Sequence, residues 1–275
     1  MLARYINLQQ AVERRELLEA QVQSLDPGSW TVQRFEAIDV QHEVCRAATG
    51  RIGDREKACF LSHRGLLGQM LQEGRSEPCM VWEDDVMVGP RAHRSVERFL
   101  AQVAPNSWDL LYTDLIVPEL GSMLELAQRS RPLRASGNIE LLDLSRLNFA
   151  GASAYLVNPV SLEKVVRQLN RLDALDEPID LCFRRLIHQG VLKAFALFPF
   201  VTTVSDRSLT SQIQPDETSG TDLAWTLFRR LMWADRNVEA LYPLSNQLSS
   251  LHPDPESSVM GVITAALLSP YFRPK

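Results

Sequence analysis

Short apolar runs alternate with helical patterns along most of this 275-residue chain, and this alternation limits the folds that it can adopt. Each run is short and rich in β-forming residues, which is typical of a buried strand. Strands that alternate with helices predict an α/β fold with a mostly parallel central sheet. The clearest runs are residues 2–8, 32–38, 79–82 and 108–112.

Two polar stretches, residues 41–57 and 119–137, lack this regular spacing of apolar residues, and we predict loops there. A stretch rich in Ser, Thr, Gln and Asp follows the last predicted strand and indicates a mobile loop. We therefore divide the chain into an α/β domain at residues 1–205, a mobile loop at 206–222 and a C-terminal helical extension at 223–275.

The composition argues against several classes of protein. A net charge of −5 and an isoelectric point of about 5.6 do not suit a strongly basic nucleic-acid binder. The first residues lack the apolar core of a signal peptide, and apolar runs stay well short of the roughly 20 residues that span a bilayer. The 4 cysteines form no metal-binding pattern and predict reduced thiols. We expect a cytoplasmic protein, with a peripheral position on the inner face of the membrane left open.

Three adjacent carboxylates, Glu83, Asp84 and Asp85, directly follow the apolar run Cys79–Trp82. Ligands of open α/β sheets bind beyond the carboxyl ends of strands. Side chains alternate along a strand, so we expect Glu83 and Asp85 on one side and Asp84 on the other. Two carboxylates on one side suit Mg²⁺ or Mn²⁺. The alternative is a solvated acidic turn, but three neighbouring carboxylates repel one another unless a cation compensates.

Further motifs precede and follow the acidic triplet in a fixed order. They are Tyr5-Ile6-Asn7-Leu8, Phe35-Glu36-Ala37-Ile38-Asp39, Glu56–His63, Gly151–Leu156 and Pro178-Ile179-Asp180. Together with Val81–Val86, this set resembles the family 25 glycosyltransferases, which include lipopolysaccharide and collagen galactosyltransferases. The resemblance covers residues 2 to about 205.

The resemblance implies a GT-A fold, which is a Rossmann-like α/β sandwich. It also implies an inverting transfer of a hexose, often galactose, from a UDP-sugar to a glycan such as lipopolysaccharide, with Mn²⁺ or else Mg²⁺ as the metal. Gln9, Gln10 and Ala58 depart from the family pattern, so a non-catalytic protein that binds a glycan or a partner enzyme stays an alternative. A metal-dependent phosphohydrolase is a third hypothesis, disfavoured because the chain lacks further metal-ligand spacing.

The residues that these patterns and the resemblance indicate fall into two groups. Glu83 and Asp85 are the expected metal ligands. The expected contacts to the nucleotide sugar are Asn7, Leu8, Arg14, Ser62, His63 and Asp84. Arg14 has the guanidinium geometry that matches a diphosphate, and Ser62 and His63 fall at a predicted helix start, which favours anions. A turn-forming Asn7, a solvated Arg14 and a helix-capping Ser62 are the structural alternatives.

An inverting transfer needs a base that removes the proton of the acceptor hydroxyl. We predict Asp180, at the start of a helix, for this role, with Asp114 as the second candidate. The helix dipole alone also favours a carboxylate at the position of Asp180. His188 is a weaker candidate, as a third metal ligand, and its alternative is an ordinary histidine at a helix end.

The C-terminal extension begins with a helical pattern at residues 222–251 that combines aromatic and basic side chains, among them Phe228, Arg229 and Arg230. Such a helix could dock on an anionic membrane beside a lipid-linked acceptor. We favour packing against its own domain or at a homodimer interface, which is the commoner use of an amphipathic helix.

Overall fold

The computed structural model describes residues 1–25, 29–206 and 220–250. Its centre is a seven-stranded sheet flanked by helices, and a separate antiparallel pair joins β4 (Val86–Val88) to β9 (Thr202–Val204). In spatial order the central strands are β2 (Thr31–Glu36), β1 (Leu2–Asn7), β3 (Cys79–Glu83), β7 (Ala154–Val157), β5 (Leu110–Tyr112), β8 (Ala194–Phe198) and β6 (Glu140–Asp143).

Most strands of the central sheet point the same way. Parallel pairs join β1 to both β2 and β3, and β5 to β8, whereas β7 and β6 run against their neighbours. The predicted α/β fold with a mostly parallel sheet is therefore confirmed. The carboxyl ends of β1, β3 and β5 meet at one edge of the sheet, which places the residues after them close together.

Helices cover both faces of the sheet. They are α1 (Val12–Ser24), α2 (Glu43–Ala47), α3 (Asp54–Gln72), α4 (Ala92–Gln102), α5 (Leu120–Ser136), α6 (Leu162–Asn170), α7 (Ile179–His188), α8 (Gly220–Leu231) and α9 (Tyr242–Ser250). Side chains alternate along β3, so that Cys79 and Val81 pack under α3 and α6 while Met80 and Trp82 pack under α1 and α4. By this alternation Glu83 faces α3.

Two stretches that we predicted as loops are helical. The stretch 119–137 contains α5, whose buried Met123, Leu126, Ala127 and Ser130 follow helical spacing although Pro132 interrupts the sequence pattern. The stretch 41–57 contains α2 and the first turn of α3. At that turn Glu56 accepts a hydrogen bond from the backbone N–H of Gly53 at 2.9 Å, which caps the helix.

The predicted extension continues the same core. Leu223, Leu227 and Leu231 of α8 are buried in the apolar cluster that α3 and α7 share, and the pattern expected as one helix is split into α8 and α9. Most of the predicted mobile loop, residues 207–219, and the end of the extension, 251–275, lie outside the described residues. Within the described ranges, every helix is too short or too polar to cross a bilayer.

Candidate active site

The acidic turn, defined as Glu83, Asp84 and Asp85, lies at the carboxyl edge of the sheet, as the sequence predicted. The backbone N–H of Glu83 donates to the carbonyl of Ser153, just before β7, at 2.8 Å. After Asp85 the chain enters β4, and the Asp85 carbonyl accepts from the N–H of Ser205 at 2.9 Å. Backbone hydrogen bonds on both sides therefore fix the position of the turn.

Asp84 points toward α1 and is held there by two partners. Arg14 of α1 lies 3.0 Å from Asp84 Oδ1, and the amide of Asn7 donates to Oδ2 at 2.8 Å. Burial raises the pKa of Asp84, and the contacts with Asn7 and Arg14 oppose that rise only in part. The predicted split, with Asp84 on one side and Glu83 on the other, is present.

Asn7 supports the turn through its whole side chain. It is 1% exposed, and its amide nitrogen donates to Asp84 and to the carbonyl of Ala11, while its oxygen accepts from Arg34 at 3.0 Å. These bonds use both ends of the amide. In the structure, the Asn7 side chain therefore holds Asp84 in position, and its hydrogen-bonding groups already have protein partners.

Glu83 points toward α3, where it meets His63. His63 Nε2 lies 3.3 Å from Glu83 Oε1, and His63 Nδ1 lies 2.9 Å from the hydroxyl of Tyr155. Burial raises the pKa of Glu83, but the hydrogen bond with His63 and the charges of Arg229 and Arg14 outweigh it, so the pKa is lowered. Glu83 is thus the carboxylate of the turn that is best stabilised as an anion.

Asp85 is less well compensated, since the charges of Arg14 and Arg229 lower its pKa only in part. Its Oδ1 is buried and has no hydrogen-bond partner among the described residues. Burial, followed by the charges of Glu83 and Asp84, raises the pKa of Asp85 to about 7. A carboxylate with one buried oxygen that lacks a partner, beside two further carboxylates, is a place where a cation would be stabilised, so the residues present fit the divalent ion that the sequence led us to expect.

A cavity of about 500 Å³ opens beside the turn. A volume of this size is in the usual range for small-ligand sites. The lining combines polar groups from α1, α3 and the turn with apolar groups from β1 and the segment after β2. Among the predicted site residues it includes Leu8, Arg14, Ser62, His63, Glu83, Asp84 and Asp85.

Ser62 and His63 lie in the middle of α3, which begins at Asp54, so our placement of them at a helix start is wrong. The error came from reading residues 41–57 as a loop. The Ser62 hydroxyl donates to the Ala58 carbonyl at 2.7 Å and accepts from the N–H of Ile38 at 2.8 Å. Ser62 therefore holds the segment after β2 in place. If Ser62 or His63 contacts a nucleotide sugar, the contact does not use the free backbone N–H groups of a helix start.

A buried ion pair that the sequence did not reveal lies behind the turn. Arg229 of α8 is 6% exposed, and its Nη2 lies 2.5 Å from Oδ2 of the fully buried Asp114. The same nitrogen donates to the hydroxyl of Ser153. The pKa of Arg229 is raised because Asp114, Asp85 and Glu83 together outweigh the effect of its burial. Arg229 is therefore a second cation of this acidic region, in addition to Arg14.

The two candidate bases differ in their surroundings. Asp114 is fully buried and paired with Arg229, and burial raises its pKa although the charge of Arg229 opposes that rise. Asp180, in the first turn of α7, accepts from the N–H of Gly151 at 2.7 Å and forms no ion pair within the described residues. His188 ends α7, and its Nε2 bonds the carbonyl of Leu147 at 2.9 Å, as an ordinary helix-end histidine does.

The arginines of α8 are not available to a membrane. Arg229 and Arg230 are 6% and 7% exposed, and Arg230 binds the Val204 carbonyl and Asp206. Phe228 of the same helix is buried in the core. The helix packs against its own domain, which is the interpretation that the sequence favoured.

Comparisons with known proteins add to this geometry. No curated protein matches the chain significantly. Among solved structures, the galactosyltransferase LgtC in complex with donor and acceptor sugar analogues is similar, with a TM-score of 0.40 and 12% identity, over 95% of this chain and 100% of that one. The family model "Glycosyltransferase family 25 (LPS biosynthesis protein)" matches residues 2–183. That match spans the acidic turn and α3 as well as Asp180, and the chain belongs to glycosyltransferase family 25.

Proposed function

We propose that this protein transfers a hexose, with galactose expected, from a UDP-sugar to a glycan acceptor of the lipopolysaccharide type, with inversion at the anomeric carbon. The observation that carries the proposal is the half-buried Asp85 in the wall of a 500 Å³ cavity, whose Oδ1 is buried and has no hydrogen-bond partner within the part of the chain that the structure describes. Family membership supports glycosyl transfer as the reaction class.

A divalent ion, Mn²⁺ or else Mg²⁺, fits the acidic turn. Asp85 and Glu83 are the residues that would hold it, since Asp84 is engaged by Arg14 and Asn7. When bound, such an ion neutralises the negative charge that develops on a diphosphate leaving group. Hard oxygen ligands are the ones that Mn²⁺ and Mg²⁺ prefer.

Other residues near the acidic turn would bind the nucleotide sugar and remove the acceptor proton. Arg14 lines the cavity and offers a guanidinium to phosphate oxygens, while Leu8 and Ile38 bound the space that a nucleotide would fill. Asp180 accepts the proton of the acceptor hydroxyl as that oxygen forms its bond to the anomeric carbon. The bond from the anomeric carbon to the diphosphate oxygen breaks, and UDP leaves with the bonding electron pair.

The proposal places the protein in the cytoplasm, where nucleotide sugars and a lipid-linked acceptor would both be within reach. Its cysteines are all free thiols, which is consistent with a reducing compartment. Peripheral contact with the membrane through the acceptor and assembly as a homodimer stay proposals. We propose no contact with nucleic acid.

The central test measures UDP release by purified protein with Mn²⁺, a panel of UDP-sugars and lipopolysaccharide-derived acceptors. Calorimetry measures nucleotide-sugar binding in parallel, and NMR of the product reports the anomeric configuration. We expect transfer from one UDP-hexose with inversion. Folded protein that binds no nucleotide sugar would refute the proposal, and a product that retains the configuration would refute the inverting mechanism.

The metal is tested separately with Asp85→Asn. We expect this variant to lose Mn²⁺ binding and transfer, while Asp143→Asn, a matched change on β6 far along the sheet, leaves both unchanged. Unchanged Mn²⁺ affinity in Asp85→Asn would exclude the acidic turn as the metal site. Unchanged function of Asp85→Ala in cells would instead favour the non-catalytic alternative.

A further inference from the structure

One group of side chains in the cavity wall combines a carboxylate of the acidic turn with sulfur and imidazole, which are not the ligands that a hard ion prefers. It consists of Cys59, His63 and Glu83, which we call the soft-ligand cluster. Each offers one ligand atom, Sγ, Nε2 and Oε1, and these three atoms all lie within 4.8 Å of one another. Sulfur and imidazole ligands favour ions such as Zn²⁺ over Mn²⁺ or Mg²⁺.

The fold brings the soft-ligand cluster together for simple reasons. Cys59 and His63 are four residues apart on α3, so they share one face of that helix. Glu83 ends β3 on the face of the sheet that α3 covers. The cluster is thus built on two regular elements, which hold metal ligands more firmly than loops do.

The distances fit a tetrahedral ion. Zinc lies roughly 2.3 Å from thiolate sulfur and 2.0–2.2 Å from nitrogen or oxygen, so neighbouring ligand atoms are roughly 3.3–3.8 Å apart. Glu83 Oε1 lies 3.3 Å from His63 Nε2 and 4.0 Å from Cys59 Sγ. The first distance is within that range and the second is slightly above it, while the sulfur and the imidazole nitrogen lie within 4.8 Å of each other. Shifts of up to about 1 Å would therefore place the three atoms at corners of a tetrahedron around the ion.

His63 also has the supporting contact that metal-binding histidines usually show. Its Nδ1 lies 2.9 Å from the hydroxyl of Tyr155, and both side chains are fully buried. Without a metal, Nε2–H is the donor to the Glu83 carboxylate. When a metal takes the place of that proton, a hydrogen bond from Nδ1–H to the Tyr155 hydroxyl would hold the tautomer that binds through Nε2.

We propose that Cys59, His63 and Glu83 form a binding site for Zn²⁺, with the fourth position open to water or a ligand in the cavity. Three protein ligands and one open position are the usual arrangement of an accessible zinc site. Cys59 binds as the thiolate, so binding of the ion releases the thiol proton to solvent.

The site shares Glu83 with the acidic turn, and this has a consequence for activity. Zinc that engages Glu83 withdraws one of the carboxylates from Mn²⁺, so Zn²⁺ inhibits transfer by competing with Mn²⁺. Only this consequence rests on the proposed function. Zinc binding itself can be measured whether or not the protein transfers sugar.

The test uses Co²⁺, which reports thiolate ligation by a sulfur-to-cobalt charge-transfer band in the near ultraviolet. We expect one equivalent of Co²⁺ to produce the band in the wild-type protein, and Zn²⁺ to abolish it. Cys59→Ser should lose the band, and Cys45→Ser, which makes the same change at a buried thiol outside the cluster, should keep it. Tyr155→Phe should weaken Zn²⁺ binding roughly 10- to 100-fold.

Absence of the band in wild-type protein would overturn the inference, as would its loss in Cys45→Ser. If Cys59→Ser fails to fold by circular dichroism, Cys59→Ala and His63→Gln provide the same comparison. Mn²⁺ and nucleotide-sugar binding are measured on the same samples. Loss of those with an intact cobalt band contradicts only the proposed function, and the reverse contradicts only the zinc site.

Discussion

The buried pair of Asp114 and Arg229 allows the sharpest prediction about stability. Asp114 is fully buried and Arg229 is 6% exposed, so neither charge is screened by water. Removal of one partner of a buried pair leaves the other charge uncompensated, which costs about 3–5 kcal/mol. For a domain of this size each kcal/mol lowers Tm by roughly 2–4 °C, so the loss corresponds to roughly 6–20 °C.

We therefore expect both Asp114→Asn and Arg229→Met to lower Tm by that amount, measured by differential scanning calorimetry and by urea unfolding. The double variant Asp114→Leu/Arg229→Met should recover part of the loss, because neither charge of the pair is then left buried alone, although Glu83 and Asp85 still lose the charge of Arg229. Arg129→Gln is the control, since Arg129 is 40% exposed and pairs at the surface, where an ion pair contributes about 0–1 kcal/mol. A change in Tm of about 2 °C corresponds to roughly 1 kcal/mol for a domain of this size. Single variants with a Tm within about 2 °C of wild type would therefore show that the unpaired buried charge does not destabilise the fold as argued.

Three further outcomes are expected. Asp180→Asn should lower kcat by roughly 10²- to 10⁴-fold with little change in donor affinity, in steady-state assays of UDP release. Gly50→Ala should lower the free energy of unfolding, measured in urea, by roughly 1–3 kcal/mol, because φ is +128° and a Cβ would lie 2.0 Å from a backbone carbonyl oxygen. Gly74→Ala is the control, and its smaller expected loss follows from the open space around that glycine. Hydrogen bonds from Arg4, Arg75 and Gln69 lower the pKa of Glu73 to about 2, so the carboxylate stabilises the fold above the unfolded pKa and loses this effect as pH falls toward 2. Glu73→Gln should therefore lower the free energy of unfolding by up to about 1 kcal/mol at pH 7. The loss should be smaller below pH 4.5, which is the ordinary pKa of a glutamate.

The sequence predicted the acidic turn well because that prediction depends on local patterns. An apolar run that ends in carboxylates fixes both the strand and the edge at which it ends. Alternation along the strand then separates Asp84 from Glu83, and both meet partners on the expected sides. Cys59 lies in the motif Glu56–His63 and one turn before His63, but its contact with Glu83 depends on how α3 crosses the sheet.

Long-range partners could not be predicted in the same way. Arg229 stands 115 positions after Asp114 in the chain, in a pattern that equally suits a membrane helix or a packed one. Only the docking of α8 brings its guanidinium to the acidic region. Helix α5 was missed for a different reason, since Pro132 breaks the sequence pattern although the buried positions keep helical spacing.

The family match and the electrostatics of the site cover different parts of the chain. The match ends at residue 183, whereas Arg229, which lowers the pKa of Glu83, lies well beyond it. Without that cation, Asp114 would be a buried anion and the acidic turn would carry more uncompensated charge. The domain boundary at residue 205 stays a prediction from sequence. Across that boundary, Arg229 and the carboxylates of Asp114 and the acidic turn stabilise each other's charged forms. The segment that follows the family match therefore contributes to the site through charge, since its guanidinium stabilises carboxylates that the matched segment supplies.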